Sequence, residues 1–337
     1  MLEVVVCFLG ASLILYCIFG GADFGAGILE IFKGKTRRKE QVSLITQAMG
    51  PVWESNHMWL IIAVVVFFNG FPKAFAQFSI FFHIPLTIML MGIIMRGCAF
   101  TFRHYDAFQD DSQKVYSFIF AVSSAFTPFM MGSIAGACLL GNFHEPGSAS
   151  YYATFVTPWL NIFSSLIGLY LCGLFSFVAS TFLLLEAEDE EMKALFKRRV
   201  KLTGIFSLSL GGLIFIYSGW AAPELFTRFL SNNLSLSCIT LATGLLYPLW
   251  KSLDTRNKRL SQFLVSALVS CVLLGYFTLM YPEIIHISAE SAIKPINFYN
   301  TAAGPETLYY LIYSLSFGLI FIVPALCYLF YIFKLQK

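Results

Sequence analysis

Two carboxylates stand inside stretches that are otherwise built to be buried, and they are where this sequence could do chemistry. Asp23 lies in GGADFGAG and Glu54 in GPVWESNHMWLI. An ionisable side chain within hydrocarbon costs about 2.5–3.5 kcal/mol on insertion scales, so it faces protein or water and tends to have a task. Asp23 comes late in the first apolar run, about 30 Å along a helix axis counted from Leu2. Gly21 and Gly25 flank it as a GxxxG pair that lets a neighbouring helix approach closely. The plainer reading is an aspartate at a helix end, wetted by headgroups, with the glycines serving packing alone.

For Glu54, the dipeptide Gly50-Pro51 is read as the opening of a second helix, Pro being well suited to a first turn. The apolar run begins at Met58, which sets Glu54 about one turn into the membrane. Asn56 and His57 are its polar company, and Trp53 and Trp59 flank it. A carboxyl deprived of water holds its proton more tightly, into the neutral range. Such a group can take up and pass on protons at physiological pH. The competing reading is a carboxylate that meets the positive end of a helix dipole.

Other residue types offer less. Haem or metal ligation would want paired histidines at facing depths. His57 and His83 lie in adjacent runs at different depths, so hydrogen bonding within the bundle is expected of them. The eight cysteines fall within or at the ends of apolar segments with no CxxC pair, and they read as small buried side chains. The run Glu186 to Glu191 precedes a basic cluster and reads as a solvated helical edge with i,i+4 pairing. No GxGxxG, Walker loop, CxxCH or HExxH occurs, so the chain shows no redox or hydrolytic site of its own.

The elements that position these residues follow from composition. Of 337 residues 58% are hydrophobic and 12% charged, about half the charge of a soluble domain. A chain this long and apolar needs the bilayer as its solvent. A spanning helix takes about 20 apolar residues, and that ruler places spans near 2–32, 49–70, 74–98, 115–140, 158–185, 202–221, 236–250, 260–281 and 307–333. The first lacks a basic leader and reads as a span that stays in the protein. The seventh is short, and the charges decide for it. With about nine spans, 19 of the 22 Lys and Arg fall on one side, and only Lys73, Arg228 and Lys294 on the other. Positive charge marks the cytoplasmic side, so the N-terminus is expected outside and the C-terminus in the cytoplasm.

The expected fold is therefore an all-α polytopic membrane protein. It forms a single integral membrane domain of two helical bundles, about 1–140 and 158–281, plus a last helix near 307–333. The outer loops, GNFHEPGSASYY and KPINFYNTAAGPE, read as compact ordered caps or docking surfaces. A net charge of +3, with basic residues scattered through short loops, argues against nucleic-acid binding.

Several ordered motifs make the chain resemble subunit II of the cytochrome bd-type quinol oxidases. They are GGADFGAG, GPVWESNHMWLI, the FP of NGFPKAF, MRGCAFTFR, TPWLN at the fifth span, the acidic-then-basic loop after it, and an MYP…N…TL…Y pattern before the last span. The resemblance covers essentially the whole chain and is strongest in its first hundred residues. The GPVWE and RGCAFTFR wording is nearer the branch often called cyanide-insensitive oxidases.

The resemblance implies a non-haem subunit that binds no cofactor directly, apart from a possible structural quinone. Its partner, subunit I, would carry haem b and haem d, or a third haem b in place of haem d, and a very small single-span subunit would accompany the pair. Quinol would be oxidised on the outer face and O2 reduced to water with cytoplasmic protons, in a prokaryotic cytoplasmic membrane. The isolated chain would not be catalytic. The acid of the family's GPxW[DE] motif falls on Glu54 and that of its first-span glycine motif on Asp23, the pair implied in a proton path. Trp53, Asn56 and Trp59 match the second-span motif, and Arg96 and Arg103 the RGxAFxFR motif. From the residues alone, a proton-coupled secondary transporter fits intramembrane carboxylates and Gly-interrupted helices equally well.

Overall fold

The computed structural model describes residues 1–32, 37–105, 112–255, 257–287 and 293–335, excluding the side chains at 38, 39, 47, 49–55, 104, 105, 330 and 332–335. Four long helices open the chain: α1 (Leu2–Ile31), α2 (Arg38–Gly70), α3 (Pro72–Tyr105) and α4 (Ser112–Leu140). A short α5 (Tyr151–Phe155) precedes α6 (Ile162–Glu186) and α7 (Glu190–Ala221). Then come α8 (Pro223–Ser231), α9 (Asn233–Gly244), α10 (Leu246–Asp254) and α11 (Lys258–Met280). A small antiparallel pair, β1 (Glu283–Ile285) and β2 (Ile296–Asn297), leads through α12 (Phe298–Thr301) to α13 (Pro305–Leu335). Among the described residues the fold is all-α apart from that one pair.

Among the described residues seven helices are long and apolar enough to cross a membrane: α1, α3, α4, α6, α7, α11 and α13. The pair Pro223–Ser231 and Asn233–Asp254, bent by 85°, raises the number to as many as eight. This bent pair holds the expected short span near 236–250. Pro223 starts α8, and the Asn232 side chain accepts from the Ser235 N–H to start α9 anew. The expected span near 49–70 falls in α2, where the apolar stretch is the shorter Asn56–Gly70.

One local expectation is corrected. Gly50-Pro51 does not open a helix, because α2 already runs from Arg38 and carries both residues in its interior. Glu54 is thus well inside a helix, and its backbone is not at a helix N-terminus. The polar turns before Gly50 are anchored by tertiary contacts. The Gln41 Oε1, fully buried, accepts from Arg199 Nη2 on α7 at 2.7 Å.

α1 is the central element, packing on α2, α4, α6 and α11. Its GGADFGAG stretch is wholly buried, and two glycines show why. A Cβ on Gly25 would sit 2.0 Å from the Phe175 carbonyl of α6, and one on Gly27 would sit 2.1 Å from Ser124 Oγ of α4. The outward faces of α7 and α13 are apolar and exposed, as a lipid-facing surface is.

The described parts of the connections around α8, α11 and α12 are held by side-chain hydrogen bonds. Asn297 caps α12 by accepting from Tyr299 and Asn300 N–H groups. Arg228 of α8 donates to the Leu279 carbonyl at 2.7 Å and pairs with Glu283 at 3.3 Å. Burial raises the Glu283 pKa, but hydrogen bonds and charge from His286 and Arg228 outweigh it and leave the carboxyl below its usual range.

Candidate functional site

The bundle centre holds two buried ion pairs that join α1 to α3. Asp23 and Arg96 are each only 1% exposed. Arg96 Nη1 donates to Asp23 Oδ2 at 2.6 Å, and Nη2 donates to Asp23 Oδ1 and, at 3.1 Å, to the Asp23 carbonyl. Arg96 Nε donates to Ser124 Oγ at 2.9 Å. The planar guanidinium fork matches the carboxylate edge to edge, a geometry Lys cannot reproduce.

The second pair lies toward the α1 C-terminus. Arg103 Nη1 donates to Glu30 Oε1 at 2.8 Å, and Nη2 donates to Thr46 Oγ1 of α2 at 3.3 Å. The Phe120 ring of α4 lies between the two cations, 4.9 Å from the Arg96 guanidinium and 4.6 Å from that of Arg103. Phe24 covers Arg96 from another side at 4.6 Å. Aromatic faces attract guanidinium groups most when both are shielded from water. These rings therefore add to the salt bridges rather than merely enclosing them.

Asp23 and Glu30 are seven residues apart on α1, and Arg96 and Arg103 are seven apart on α3. Seven residues are about two helical turns, so each helix presents its two charges on one face. Sequence reasoning singled out Asp23, Arg96 and Arg103 but missed Glu30. The equal spacing in GADFGAGILE and RGCAFTFR is the signal that would have found it. Ser124 and the Gln41–Arg199 link carried no such signal, since their role depends on which helices become neighbours.

The other sequence candidates lie beside this centre. Asn56 is buried, with its amide against Gly20, and Trp59 is 8% exposed on the same face of α2. His57, half-buried, lines a groove of about 470 Å³ with Ile93, Ile94, Gly97, Cys98, Thr101 and Phe102. The backbones of Trp53 and Glu54 belong to α2, but their side chains lie outside the described residues.

Among the described residues no three His, Cys, Asp or Glu side chains gather as a metal site. Both ring nitrogens of His83 are engaged, Nδ1 with the Ile80 carbonyl at 2.9 Å and Nε2 with the Tyr151 hydroxyl at 3.1 Å. All eight cysteines are free thiols.

Known proteins share this architecture and sequence. The model of the family described as cytochrome bd terminal oxidase subunit II matches residues 1–333. Cytochrome bd ubiquinol oxidase subunit 2 of Bacillus subtilis is 32% identical over 113 residues, covering 33% of this chain and 32% of that protein. Cytochrome bd-I ubiquinol oxidase subunit 2 of Escherichia coli K12 is 24% identical over 184 residues, 54% of this chain and 48% of that protein. The matched stretches thus span about a third to a half of these curated relatives. The fold itself extends further. A chain in the structure of bd oxidase from Geobacillus thermodenitrificans superposes with a TM-score of 0.80 at 18% identity, covering 100% of this chain and 99% of that one. A multi-span helical chain with its buried charges between the first and third helices, matched nearly end to end by one family model, belongs to the cytochrome bd terminal oxidase subunit II family.

Proposed function

We propose that this chain is the non-haem subunit of a quinol:O2 oxidoreductase and contributes a cytoplasmic proton-uptake path. The observation that carries the proposal is the column of buried polar groups in the half of the bundle expected to face the cytoplasm. Asp23 and Glu30, each 1% exposed, are held by Arg96 and Arg103. An apolar bundle keeps such groups at a cost, and proton movement is a use that repays it. In this reading Glu54, further along α2, receives protons from the cytoplasm. Asp23 has both oxygens on Arg96, which fixes the orientation of its carboxylate within the column.

The partner is proposed to be a haem-bearing subunit I, with haem b and haem d or a third haem b, together with a small single-span subunit. Quinol and O2 react on that partner, in a prokaryotic cytoplasmic membrane. A structural quinone on this chain belongs to the same proposal.

The topology is proposed to be nine spans, counting α2 and the bent α8–α10 segment, with the N-terminus outside and the C-terminus cytoplasmic. Support comes from the length of α2 and from the 19-to-3 division of basic residues. The two-bundle organisation, about 1–140 and 158–281 with a last helix about 307–333, is part of the same proposal, with α3 packed on α4, α9 on α11 and α6 joining the two through α1 and α4.

The test is Glu54→Gln in the purified complex. Expected is a loss of O2 consumption and proton uptake of about tenfold or more, with the visible haem spectrum intact. Wild-type turnover and uptake in this variant would remove the proton role. A colourless purified chain that moves a solute by itself would instead favour a proton-coupled transporter.

A further inference from the structure

Among the described residues, three polar atoms on one face of α2 have no hydrogen-bond partner. They are Asn56 Oδ1, Asn56 Nδ2 and Trp59 Nε1, all shut off from solvent. Residues three apart share a helix face, so the Asn56 amide and the Trp59 indole look the same way. The Asn56 amide lies against α1, where Gly20 is so close that an added Cβ would lie 2.9 Å from Asn56 Oδ1. Asp23 stands one turn along α1 from Gly20, with Arg96 upon it.

An unsatisfied buried donor or acceptor keeps the full penalty of having lost its water. Three in one place would be a large penalty for a helix pair that is otherwise closely packed. Buried polar groups in native proteins are nearly always satisfied, and ordered water is the usual partner where protein is not. The chemistry of the three atoms is complementary to water. Oδ1 accepts a hydrogen, while Nδ2 and Nε1 donate to oxygen lone pairs. One molecule meeting two or three of them has the coordination a structural water needs.

We infer that Asn56 and Trp59 hold an internal water between α1 and α2, next to the Asp23–Arg96 pair. The site deepens the proton-uptake reading and rests on it only for its purpose: the water gives protons a hydrogen-bonded step between α2 and the Asp23 carboxylate. A proton arriving on the water oxygen displaces another from the same oxygen to the next acceptor, so the water is unchanged. Asn56 and Trp59 position that water and do not react.

The test uses the intact complex. A map at a resolution that shows ordered water is expected to place one within about 3.2 Å of an Asn56 amide atom and of Trp59 Nε1. Asn56→Leu removes both amide partners at similar volume, and Trp59→Phe removes the indole N–H. Both are expected to lose that density and to slow proton uptake by about tenfold, the cost of one hydrogen-bonded step, with quinol KM unchanged. Trp59→Phe keeps the interpretation open to refutation should Asn56→Leu fail to assemble. Wild-type maps with a dry contact, or an Asn56 amide bonded to a protein side chain instead, would overturn the inference. So would an Asn56→Leu complex that is more heat-stable and takes up protons at the wild-type rate. Because the density is read independently of turnover, a water seen there with unchanged uptake in Glu54→Gln would sink the proton-path reading and leave the water site standing.

Discussion

Asn at position 23 would leave Arg96 facing a neutral amide in a low-dielectric centre, and that is the sharpest residue-scale prediction. Removing one partner of a buried pair costs about 3–5 kcal/mol, because the other charge stays behind uncompensated. Asp23→Asn is therefore expected to lower the Tm of the purified complex markedly or to prevent its assembly. Arg96→Lys keeps the charge but forfeits the fork on Asp23 and the bond from Nε to Ser124 Oγ, so it should fall between wild type and Asp23→Asn in the same thermal scan. At this scale the sequence was legible where a charge interrupts an apolar run, as at Asp23. It was not legible at Glu30, which sits near a basic loop and reads as a helix-end residue until Arg103 is seen to reach it.

Among the elements, α1 depends on glycine for its place. Gly25→Ala would drive a methyl into the Phe175 carbonyl of α6, and neither backbone can yield without separating the helices. Loss of assembled complex on a native gel is expected. Gly212→Ala on α7 is the control, since nothing lies within 4 Å of its added methyl, and it should assemble normally. The α7 start carries a pH prediction. The Arg37 guanidinium beside Asp189 holds that carboxyl below its ordinary value of 3.8. Asp189 also caps α7 by accepting from the Met192 N–H. A lowered carboxylate stabilises the folded state above its ordinary pKa, and that contribution fades as pH falls through the lower, folded-state value. Protection against hydrogen exchange at the first turn of α7, taken relative to the intrinsic rate at each pH, should fall as pH drops below about 4, and Asp189→Asn should abolish that loss. The beginning of α2 was hidden because RKEQVSLITQ lacks an apolar run long enough for a span. Its helix is held by partners on α7, which hydropathy does not register.

At the scale of the whole molecule, the family and the membrane-spanning helical class were readable from ordered motifs and hydropathy. Lipid leaves backbone groups few alternatives to the helix, so apolar length translates directly into structure. The bend between α8 and α9 was not readable, since it depends on how Asn232 and Arg228 tie into the end of α11. Topology has its own measurement. Single cysteines placed at residues 35 and 194 should react with a membrane-impermeant thiol reagent only from the cytoplasmic side, and one at 147 only from outside. Labelling of 35 and 147 from the same side would refute the proposed nine-span orientation.

The two buried ion pairs also constrain how the chain is made. Each arginine lies 73 residues after its carboxylate, so α1 leaves the ribosome well before α3 exists. At synthesis rates of about 5–20 residues per second, Asp23 and Glu30 wait roughly 4–15 s for their counter-ions. During that interval α1 carries two unneutralised acids at its trailing end, each costing about 2.5–3.5 kcal/mol if it enters hydrocarbon. Nascent α1 is therefore expected to linger in the insertion machinery, with its last turns in water, until α3 arrives to draw them in. Ribosome-bound chains truncated before residue 96 should remain extractable where those ending beyond α4 are not.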